Sequence, residues 1–205
     1  TVIPLIKETG LTVVSDIDDT IKVTSVRDRK EMLRNTFLRK MQAVAGMPDL
    51  YRTWVDKLQH QNIHFHYLSA SPWQLYETLH TFLVDSGFPL GSWDMKFFRV
   101  WDSSLKNLFQ SPTDYKPHRL KLLFQRYPLR NFVLVGDSGE LDPEIYASVA
   151  REFPKQVAAI YIRQVEGTDD AKRFQQAFAG LPRSKWKLFT DPADLSALDV
   201  SPSKP

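Results

Sequence analysis

The sequence predicts a three-layer α/β/α sandwich built on a mainly parallel β-sheet. Short apolar runs rich in β-branched and aromatic residues alternate with longer segments in which apolar residues recur every three or four positions. The short runs are apolar almost throughout, which is typical of strands covered by helices on both faces. The chain has 205 residues, of which 42% are hydrophobic and 25% charged, and it has no cysteine. This composition suits one large domain that needs no disulfide.

Six segments have the length and composition of buried strands. In chain order they are Leu11–Asp16, Asn62–Ser69, Met95–Val100, Asn131–Asp137, Gln156–Ile162 and Trp186–Phe189. Apolar residues between these segments have helical spacing. They form three groups: Leu33, Phe37, Met41 and Val44; Leu75, Leu79, Phe82 and Leu83; and Leu120, Leu122, Leu123 and Phe124. A further helix should begin at Asp142, because Asp caps helices well and Pro143 is tolerated in the first turn.

The chain is predicted to form one domain over residues 1–205, with a core over about 9–190 and a loose tail over 199–205. About 40 residues separate Thr20 from the second predicted strand, and about 47 separate Ser69 from Lys116. Ordinary crossover helices and strands occupy much of each stretch. Neither is long enough for a large cap domain, so we expect an open site.

Acidic residues follow the first and fourth predicted core strands where each strand ends. The first strand ends in Asp16, with Asp18 and Asp19 just beyond it, and the fourth ends in Asp137 with further acids up to Asp142. Asp16 and Asp18 are two residues apart, so they point the same way while the chain is extended. Ligands of a parallel sheet bind at the carboxyl ends of strands. Carboxylates that share a small site need a cation or a shared proton, and oxygen ligands suit Mg²⁺.

Hydroxyl and ammonium groups are expected at the same edge of the sheet. The second strand ends in Ser69 and Ser71, and Lys116 precedes the helix that leads into the fourth strand. Either serine is a candidate phosphate ligand, and either is also a candidate helix cap. A carboxylate nucleophile, a second acid, a divalent cation, a hydroxyl and a lysine are the groups that phosphoryl transfer requires.

These motifs, in this order, resemble those of the haloacid-dehalogenase superfamily. Four longer stretches resemble the catalytic domain of Mg²⁺-dependent phosphatidate phosphatases of the actin-patch type, over roughly residues 9–165. The stretches are Ser15–Thr24, Tyr67–Trp73, Asp114–Leu120 and Val133–Tyr146. The resemblance implies a Rossmann-like sheet and an aspartyl-phosphate mechanism.

In that mechanism, Asp16 attacks the phosphomonoester, and Asp18 protonates the leaving alcohol and then activates water. The resemblance implies that Mg²⁺ is held by the Asp16 carboxylate, the Asp18 backbone carbonyl and Asp137. It assigns Ser69 and Lys116 to the transferring phosphoryl group.

Other residues complete the implied site. Asp142 is the second acid of the last motif, and it acts through a water on the metal or as a support for Lys116. The substrate-binding residues implied by the resemblance are Thr20, Lys22, Ser69, Ala70 and Lys116.

The function that the resemblance implies is hydrolysis of phosphatidate to diacylglycerol and phosphate. The alternatives are a phosphatase for a soluble or macromolecular phosphomonoester and a non-catalytic phosphatidate-binding module. Related sensing domains have lost the catalytic aspartates, whereas Asp16 and Asp18 are present here. The expected partners are phosphatidate or another phosphomonoester and an anionic membrane surface. The chain has 27 basic and 24 acidic residues, a nearly even balance, so we expect no nucleic acid partner. We expect a cytoplasmic monomer, peripheral to membranes.

Four features have two possible interpretations each. Asp19 either caps the turn after the first strand or belongs to the site. His64 and His66 share one strand face, where they pack in the sheet or bind zinc, and packing is favoured. Ile21–Met41 carries seven basic and two acidic residues, which suits a lipid-binding amphipathic helix or, as we favour, a solvated face of a core helix. Trp101–Phe109 is either a lipid-facing lip or a turn that covers the core.

Overall fold

A computed structural model describes residues 6–24, 41–96, 115–167 and 170–195. Its strands form one sheet of six, in which all neighbouring strands are parallel. They are β1 (Gly10–Ser15), β2 (His64–Pro72), β3 (Gly91–Lys96), β4 (Arg130–Asp137), β5 (Val157–Arg163) and β6 (Trp186–Phe189). The strand order β3-β2-β1-β4-β5-β6 is that of the Rossmann fold. The predicted parallel sheet is confirmed.

Helices cover both faces of this sheet. The α-helices of the described residues are α1 (Met47–Leu58), α2 (Tyr76–Asp85), α3 (Tyr115–Arg126), α4 (Asp142–Glu152) and α5 (Ala171–Ala177). Buried residues of α1 and α2 share one core with Val13 of β1. Buried residues of α3, α4 and α5 share the other core with Val14. Because Val13 and Val14 point to opposite faces, the sheet lies between two helical layers, and the predicted three-layer sandwich is confirmed.

The strand order places the candidate site. From β1, the chain adds β2 and β3 on one side and β4, β5 and β6 on the other. The order therefore reverses between β1 and β4, whose carboxyl ends lie side by side. The backbone amide of Asp16 donates to the carbonyl of Val135 (2.9 Å), which extends this pairing beyond β1. A parallel sheet binds its ligands in the crevice at such a point.

Two predicted elements differ in position from those observed. The third strand is Gly91–Lys96 rather than Met95–Val100, and residues 97–100 lie outside the described part of the chain. It lies at the edge of the sheet and most of its residues are only half-buried, so it lacks the continuous apolar run of a central strand. The helical spacing predicted to reach Val44 is not helix over residues 41–46, where Ala43 pairs with Lys22. Leu33 and Phe37 lie outside the described residues.

Helix α1 was not predicted, although its sequence explains it. The helix follows Gly46, whose φ of 82° lies in the left-handed region, and Pro48 occupies the first turn. Its buried residues are Met47, Leu50, Tyr51, Trp54 and Leu58, which recur at helical spacing. The Trp54 indole donates to the carbonyl of Leu195 (3.2 Å) and so ties the helix to the last described turn.

No described residue forms a second domain over the carboxyl edge of the sheet. Residues 25–40 and 97–114 lie outside the described part, and so does the predicted tail over 199–205. In the ranges that are described, no helix is long and apolar enough to cross a bilayer. The single domain over residues 1–205 stays a prediction.

Candidate active site

The end of β1 holds Asp16 in a fixed backbone position. The Ser15 hydroxyl accepts a hydrogen bond from the Tyr51 hydroxyl of α1 (2.8 Å) and donates one to the carbonyl of Asp16 (2.7 Å). Ser15 and Tyr51 are fully buried, and the Asp16 side chain is only 2% exposed. The core helix α1 therefore fixes the backbone from which the Asp16 carboxylate projects.

The chain turns sharply after Asp16. The backbone amides of Ile21 and Lys22 both donate to the carbonyl of Ile17 (3.0 and 2.9 Å). Asp19 has a φ of 51°, a left-handed conformation that Asp tolerates better than most residues. Its carboxylate accepts from the amide of Thr24 (2.8 Å). The structure therefore favours the turn-forming interpretation of Asp19.

Lys116, in the first turn of α3, lies among three carboxylates. Its Nζ is 2.9 Å from Asp16 Oδ1, 2.6 Å from Asp142 Oδ1 and 3.1 Å from Glu140 Oε2. The lysine is fully buried. Burial acts to lower its pKa, but Asp142, Asp16 and Glu140 outweigh burial and raise the pKa above its ordinary value. Lys116 therefore stays charged and holds together acids from two chain segments, the end of β1 and the residues that follow β4.

Asp137 and Asp142 occupy the end of β4 and the start of α4. One oxygen from each of Asp16, Asp137 and Asp142 lies within 4.8 Å of the others. Asp137 Oδ1 accepts from the amides of Gly139 (2.6 Å) and Glu140 (3.3 Å). Within the described residues, its other oxygen, Oδ2, is buried and has no hydrogen-bond partner. Three clustered carboxylates and one unpartnered oxygen fit a bound metal ion.

Asp142 begins α4 as predicted but does not cap it. The residue before it, Leu141, is the N-cap and makes no side-chain cap bond. One carboxylate oxygen of Asp142 binds Lys116, and the other accepts from the amide of Asp137 (3.3 Å). A Cβ at Gly136 would lie 2.3 Å from Asp142 Oδ2, so only glycine allows this approach. The expectation that Asp142 caps α4 is wrong, because its two carboxylate oxygens contact Lys116 and the amide of Asp137 instead.

The acids around Lys116 are difficult to ionise together. Burial raises the pKa of Asp16 well above its ordinary value; Lys116 opposes this, and Asp142, Glu140 and Asp137 add to it. Burial likewise raises the pKa of Asp137, with Asp142 adding to it. Burial also raises the pKa of Glu140, which Lys116 only partly offsets. One ammonium thus does not balance these carboxylates, and a cation would favour their charged forms.

Asp18 has its own set of partners. Its Oδ1 is 2.7 Å from Lys22 Nζ and accepts from the Thr24 hydroxyl (2.8 Å). Its Oδ2 accepts from the hydroxyls of Ser71 (3.0 Å) and, more weakly, Ser69 (3.5 Å). Burial acts to raise the pKa of Asp18, but Lys22 and these hydrogen bonds outweigh it and lower the pKa. Asp16 and Asp18 therefore have opposite pKa shifts.

The predicted residues thus separate into two neighbouring groups. Strand β1 ends at Ser15, so the chain is not an extended strand through Asp18, and Asp16 and Asp18 have different partners. The Asp16 group contains Lys116, Asp137 and Asp142, together with Thr20, whose hydroxyl donates to Asp16 Oδ2 (3.2 Å). The Asp18 group contains Lys22, Ser69 and Ser71. Ala70 is half-buried at the irregularity near the end of β2.

Arg173 of α5 fixes the loop that carries the acids after β4. Its guanidinium donates to the carbonyls of Ser138 (2.7 Å) and Glu140, and pairs with the Glu144 carboxylate (2.7 Å). Neither Arg173 nor Glu140 was predicted as a site residue. Glu140 lies inside the motif Gly136–Asp142, which is a usable signal, whereas Arg173 makes its contacts across about 30 residues of sequence and gives no local signal.

The histidines of β2 lie away from the two acidic groups. Both rings bind one hydroxyl: His64 Nε2 and His66 Nδ1 are each 2.8 Å from Ser92 Oγ. His66 Nε2 also lies 3.4 Å from Asp94 Oδ2, and Asp94 pairs with Arg119 of α3. These contacts agree with packing between strands. The segment Trp101–Phe109 and most of Ile21–Met41 lie outside the described residues.

A family model described as "Phosphatidate phosphatase APP1, catalytic domain" matches residues 11–164. The chain belongs to this family. The APP1 catalytic-domain match includes both groups of site residues. The phosphatidate phosphatase APP1 of Saccharomyces cerevisiae is 36% identical over 157 residues, which cover 75% of this chain and 26% of that protein. The resemblance seen in the sequence is thereby confirmed.

One more curated protein and one solved structure are similar to the chain. Uncharacterized protein C29B5.04c of Schizosaccharomyces pombe is 32% identical over 166 residues, covering 80% of this chain and 26% of that protein. The chain spans about a quarter of the length of both curated relatives. A crystal structure assigned provisionally as a beta-phosphoglucomutase from Thermotoga maritima has a TM-score of 0.47 and 12% identity, covering 90% of this chain and 96% of that one.

Proposed function

We propose that this protein is a Mg²⁺-dependent phosphatidate phosphatase that forms an aspartyl-phosphate on Asp16. The observation that carries the proposal is the convergence of buried carboxylate oxygens from Asp16, Asp137 and Asp142 within 4.8 Å, beside the Lys116 ammonium. Membership of the APP1 catalytic-domain family supports the choice of substrate. Phosphoryl transfer needs this combination of a carboxylate nucleophile with clustered positive charge.

Asp16 and Asp137 are the proposed carboxylate ligands of Mg²⁺, with the Asp18 carbonyl as a third ligand. Asp137 Oδ2 is suitable because it is buried and lacks another partner among the described residues. Asp142 holds Lys116 through one oxygen at 2.6 Å, so its role is to support that lysine, or to act on the metal through water. When bound, Mg²⁺ would neutralise phosphoryl charge and keep Asp16 ionised.

The protein side chains then carry the reaction in two steps. An Asp16 oxygen bonds to phosphorus, the ester P–O bond breaks, and the leaving alcohol takes a proton from Asp18. Asp18 then accepts a proton from water, whose oxygen bonds to phosphorus and releases phosphate from Asp16. Lys116 and the Ser69 or Ser71 hydroxyl bind phosphoryl oxygens. Of the two, Ser71 is closer to Asp18, at 3.0 Å against 3.5 Å.

Asp18 must hold a proton before it can donate one. In the structure, Lys22 lies 2.7 Å from Asp18 and helps to lower its pKa. A bound phosphoryl dianion would raise that pKa, because a nearby negative charge favours the protonated form. The same dianion would also attract the Lys22 ammonium away from Asp18. This accounts for the proposed place of Lys22 in substrate binding.

Phosphatidate lies in a bilayer, so the proposed enzyme works at a membrane surface as a peripheral protein. An anionic surface is then its partner. Its cytoplasmic location and monomeric state stay predictions.

Phosphate release from a panel of phosphomonoesters tests the proposal. The panel contains phosphatidate in vesicles, glycerol 3-phosphate, a sugar phosphate and a phosphopeptide, each with Mg²⁺ and with a chelator. We expect release from phosphatidate that the chelator abolishes and that Asp16→Asn removes. Equal or greater activity on a soluble ester would reject the lipid substrate, and activity in Asp16→Asn would reject the nucleophile. Binding of phosphatidate vesicles without phosphate release would favour a non-catalytic module.

A further inference from the structure

Two exposed apolar residues are close in sequence to residues that contact the proposed general acid. Among the described residues, seven large apolar side chains are exposed, and three of them follow the carboxyl end of a strand: Val23 (39%), Trp73 (42%) and Leu141 (37%). Of these three, Val23 and Trp73 belong to the segments that contact Asp18. Val23 follows Lys22, whose Nζ is 2.7 Å from Asp18. Trp73 lies two residues after Ser71, whose hydroxyl is 3.0 Å from Asp18. Both residues therefore adjoin direct partners of Asp18.

The position of Asp18 defines which part of the substrate meets these side chains. A general acid must lie within hydrogen-bond distance of the oxygen that it protonates, about 2.6–3.2 Å. The leaving alcohol oxygen therefore lies at Asp18, and the rest of the alcohol extends outward from it. Val23 and Trp73 are the exposed apolar residues in the two segments that contact Asp18. A polar alcohol gains little from such neighbours, whereas an alcohol with acyl chains buries apolar surface on them.

Trp73 is held in place by other aromatic rings. Its ring stacks on that of Tyr76, with centroids 4.9 Å apart and an interplanar angle of 12°. Tyr76 in turn meets Trp93 of β3 edge-on, with centroids 5.3 Å apart. An indole supported in this way exposes a large apolar face at a low cost in conformational entropy. Tryptophan is also the side chain most typical of the interface between bilayer and water.

We propose that Val23 and Trp73 form a contact surface for the acyl region of a lipid phosphomonoester held in a bilayer. The inference rests on the proposed function, because it takes Asp18 as the acid that protonates the leaving alcohol. It names the residues that favour a lipid alcohol over a water-soluble one. The two side chains act on substrate selection and bilayer contact, and the phosphoryl chemistry stays with Asp16, Asp18 and Lys116.

The test compares two substrates that share glycerol and phosphate and differ in the acyl chains. Phosphate release is measured on phosphatidate in phosphatidylcholine vesicles and on glycerol 3-phosphate, for the wild type and for Val23→Ser/Trp73→Ala. Trp73→Phe keeps an apolar ring. Leu90→Ala and Leu129→Ala are matched controls, because these leucines are exposed (63% and 65%) but precede β3 and β4 at the opposite edge of the sheet. Co-sedimentation with the same vesicles measures binding.

We expect the double variant to lose at least tenfold in kcat/KM on vesicle phosphatidate, with weaker co-sedimentation and less than a twofold change on glycerol 3-phosphate. Trp73→Phe should keep most of the wild-type activity on vesicle phosphatidate, and the leucine controls should resemble the wild type. An equal loss on both substrates would show a structural role for Trp73, and wild-type activity of the double variant on vesicles would show no role. Either result would overturn the inference and leave the proposed function in place. A wild-type protein that hydrolyses glycerol 3-phosphate but not phosphatidate overturns the proposed function and the inference together.

Discussion

Replacing the proposed nucleophile should make the metal-free protein more stable. Asp16→Asn keeps the shape of the side chain and removes its charge. The charge attracts Lys116 at 2.9 Å, worth about 6 kcal/mol with an effective dielectric constant of ~20. Where Asp137 and Asp142 are ionised, their oxygens, which lie within 4.8 Å, repel this charge at about 3.5 kcal/mol or more each on the same basis. The two repulsions together exceed the attraction. The desolvation of the Asp16 carboxylate, which is only 2% exposed, adds to the cost of its charge.

The size and pH dependence of the effect follow from this balance. Neutralising a buried ion pair or triad is often neutral or stabilising by roughly 1–4 kcal/mol, whereas leaving one charge without a partner is destabilising. After Asp16→Asn, Lys116 keeps Asp142 and Glu140 as partners, so we expect a gain within the first range. Burial raises the pKa of Asp16 in the folded protein, so protonated Asp16 contributes to stability. That contribution is fully present below about pH 4, the ordinary pKa of Asp, and is lost as pH rises through the raised pKa. The advantage of Asp16→Asn should therefore be absent near pH 4 and should grow as pH rises through the raised pKa of Asp16.

Urea unfolding in a chelator at pH 4.0, 6.0 and 7.5 measures this advantage. Asp49→Asn is the matched control, because its side chain is 78% exposed in an ion pair with Arg52 on α1, and we expect a change of less than about 1 kcal/mol from it. Saturating Mg²⁺ should stabilise the wild type more than Asp16→Asn and so reduce or reverse the difference. Phosphate release should fall by ~10⁴-fold or more, as for other nucleophile removals. An Asp16→Asn protein that is less stable than the wild type at pH 7.5 in chelator would show that the Lys116 ion pair dominates.

Three other expectations concern the charges of the site and the sheet. Lys116→Met leaves three carboxylates without their ammonium and should lower the free energy of unfolding by about 3–5 kcal/mol at pH 7.5, measured in urea, and by less at pH 5. Because burial raises the pKa of Asp137, the increase in Tm produced by Mg²⁺ should shrink as pH falls from 7.5 to 5, and a pH-independent increase would contradict a carboxylate site. Arg130→Met removes hydrogen bonds to Thr12 and to four carbonyls, so it should cost ~3 kcal/mol or more in unfolding free energy, while activity per folded molecule stays unchanged.

The sequence predicted strand positions best where a continuous apolar run ends at a clear turn signal. Strand β4 differs from its prediction by one residue, because its continuous apolar run is buried and ends at a clear turn signal. Strand β6 matches its prediction to the residue, although it is the other edge strand and only its last residue is fully buried. Strand β3 is at the edge of the sheet, and its mixed sequence gives a weaker signal. Helix α1 was not predicted, although its regular apolar face is a usable signal in the sequence.

The candidate site was predictable for residues that lie in a local motif at a strand end. Asp16, Asp137 and Lys116 come together because parallel strands end at one edge, and sequence spacing is sufficient to expect that. The partners of Asp18 were harder to predict. Thr24 reaches Asp18 only because the turn at Asp19 adopts a positive φ, which no local propensity rule requires of Asp.

The opposite pKa shifts of Asp16 and Asp18 bear on the order of events. Without a bound cation, burial favours the protonated form of Asp16, which is a poor nucleophile. Without a bound dianion, Lys22 and neighbouring hydroxyls outweigh burial and favour ionised Asp18, which has no proton to give. A cation at the Asp16 group and a phosphoryl group beside Asp18 would reverse both preferences. In the proposed mechanism, the two aspartates would therefore take their separate tasks only when metal and substrate are both present, and metal without substrate should leave Asp18 paired with Lys22.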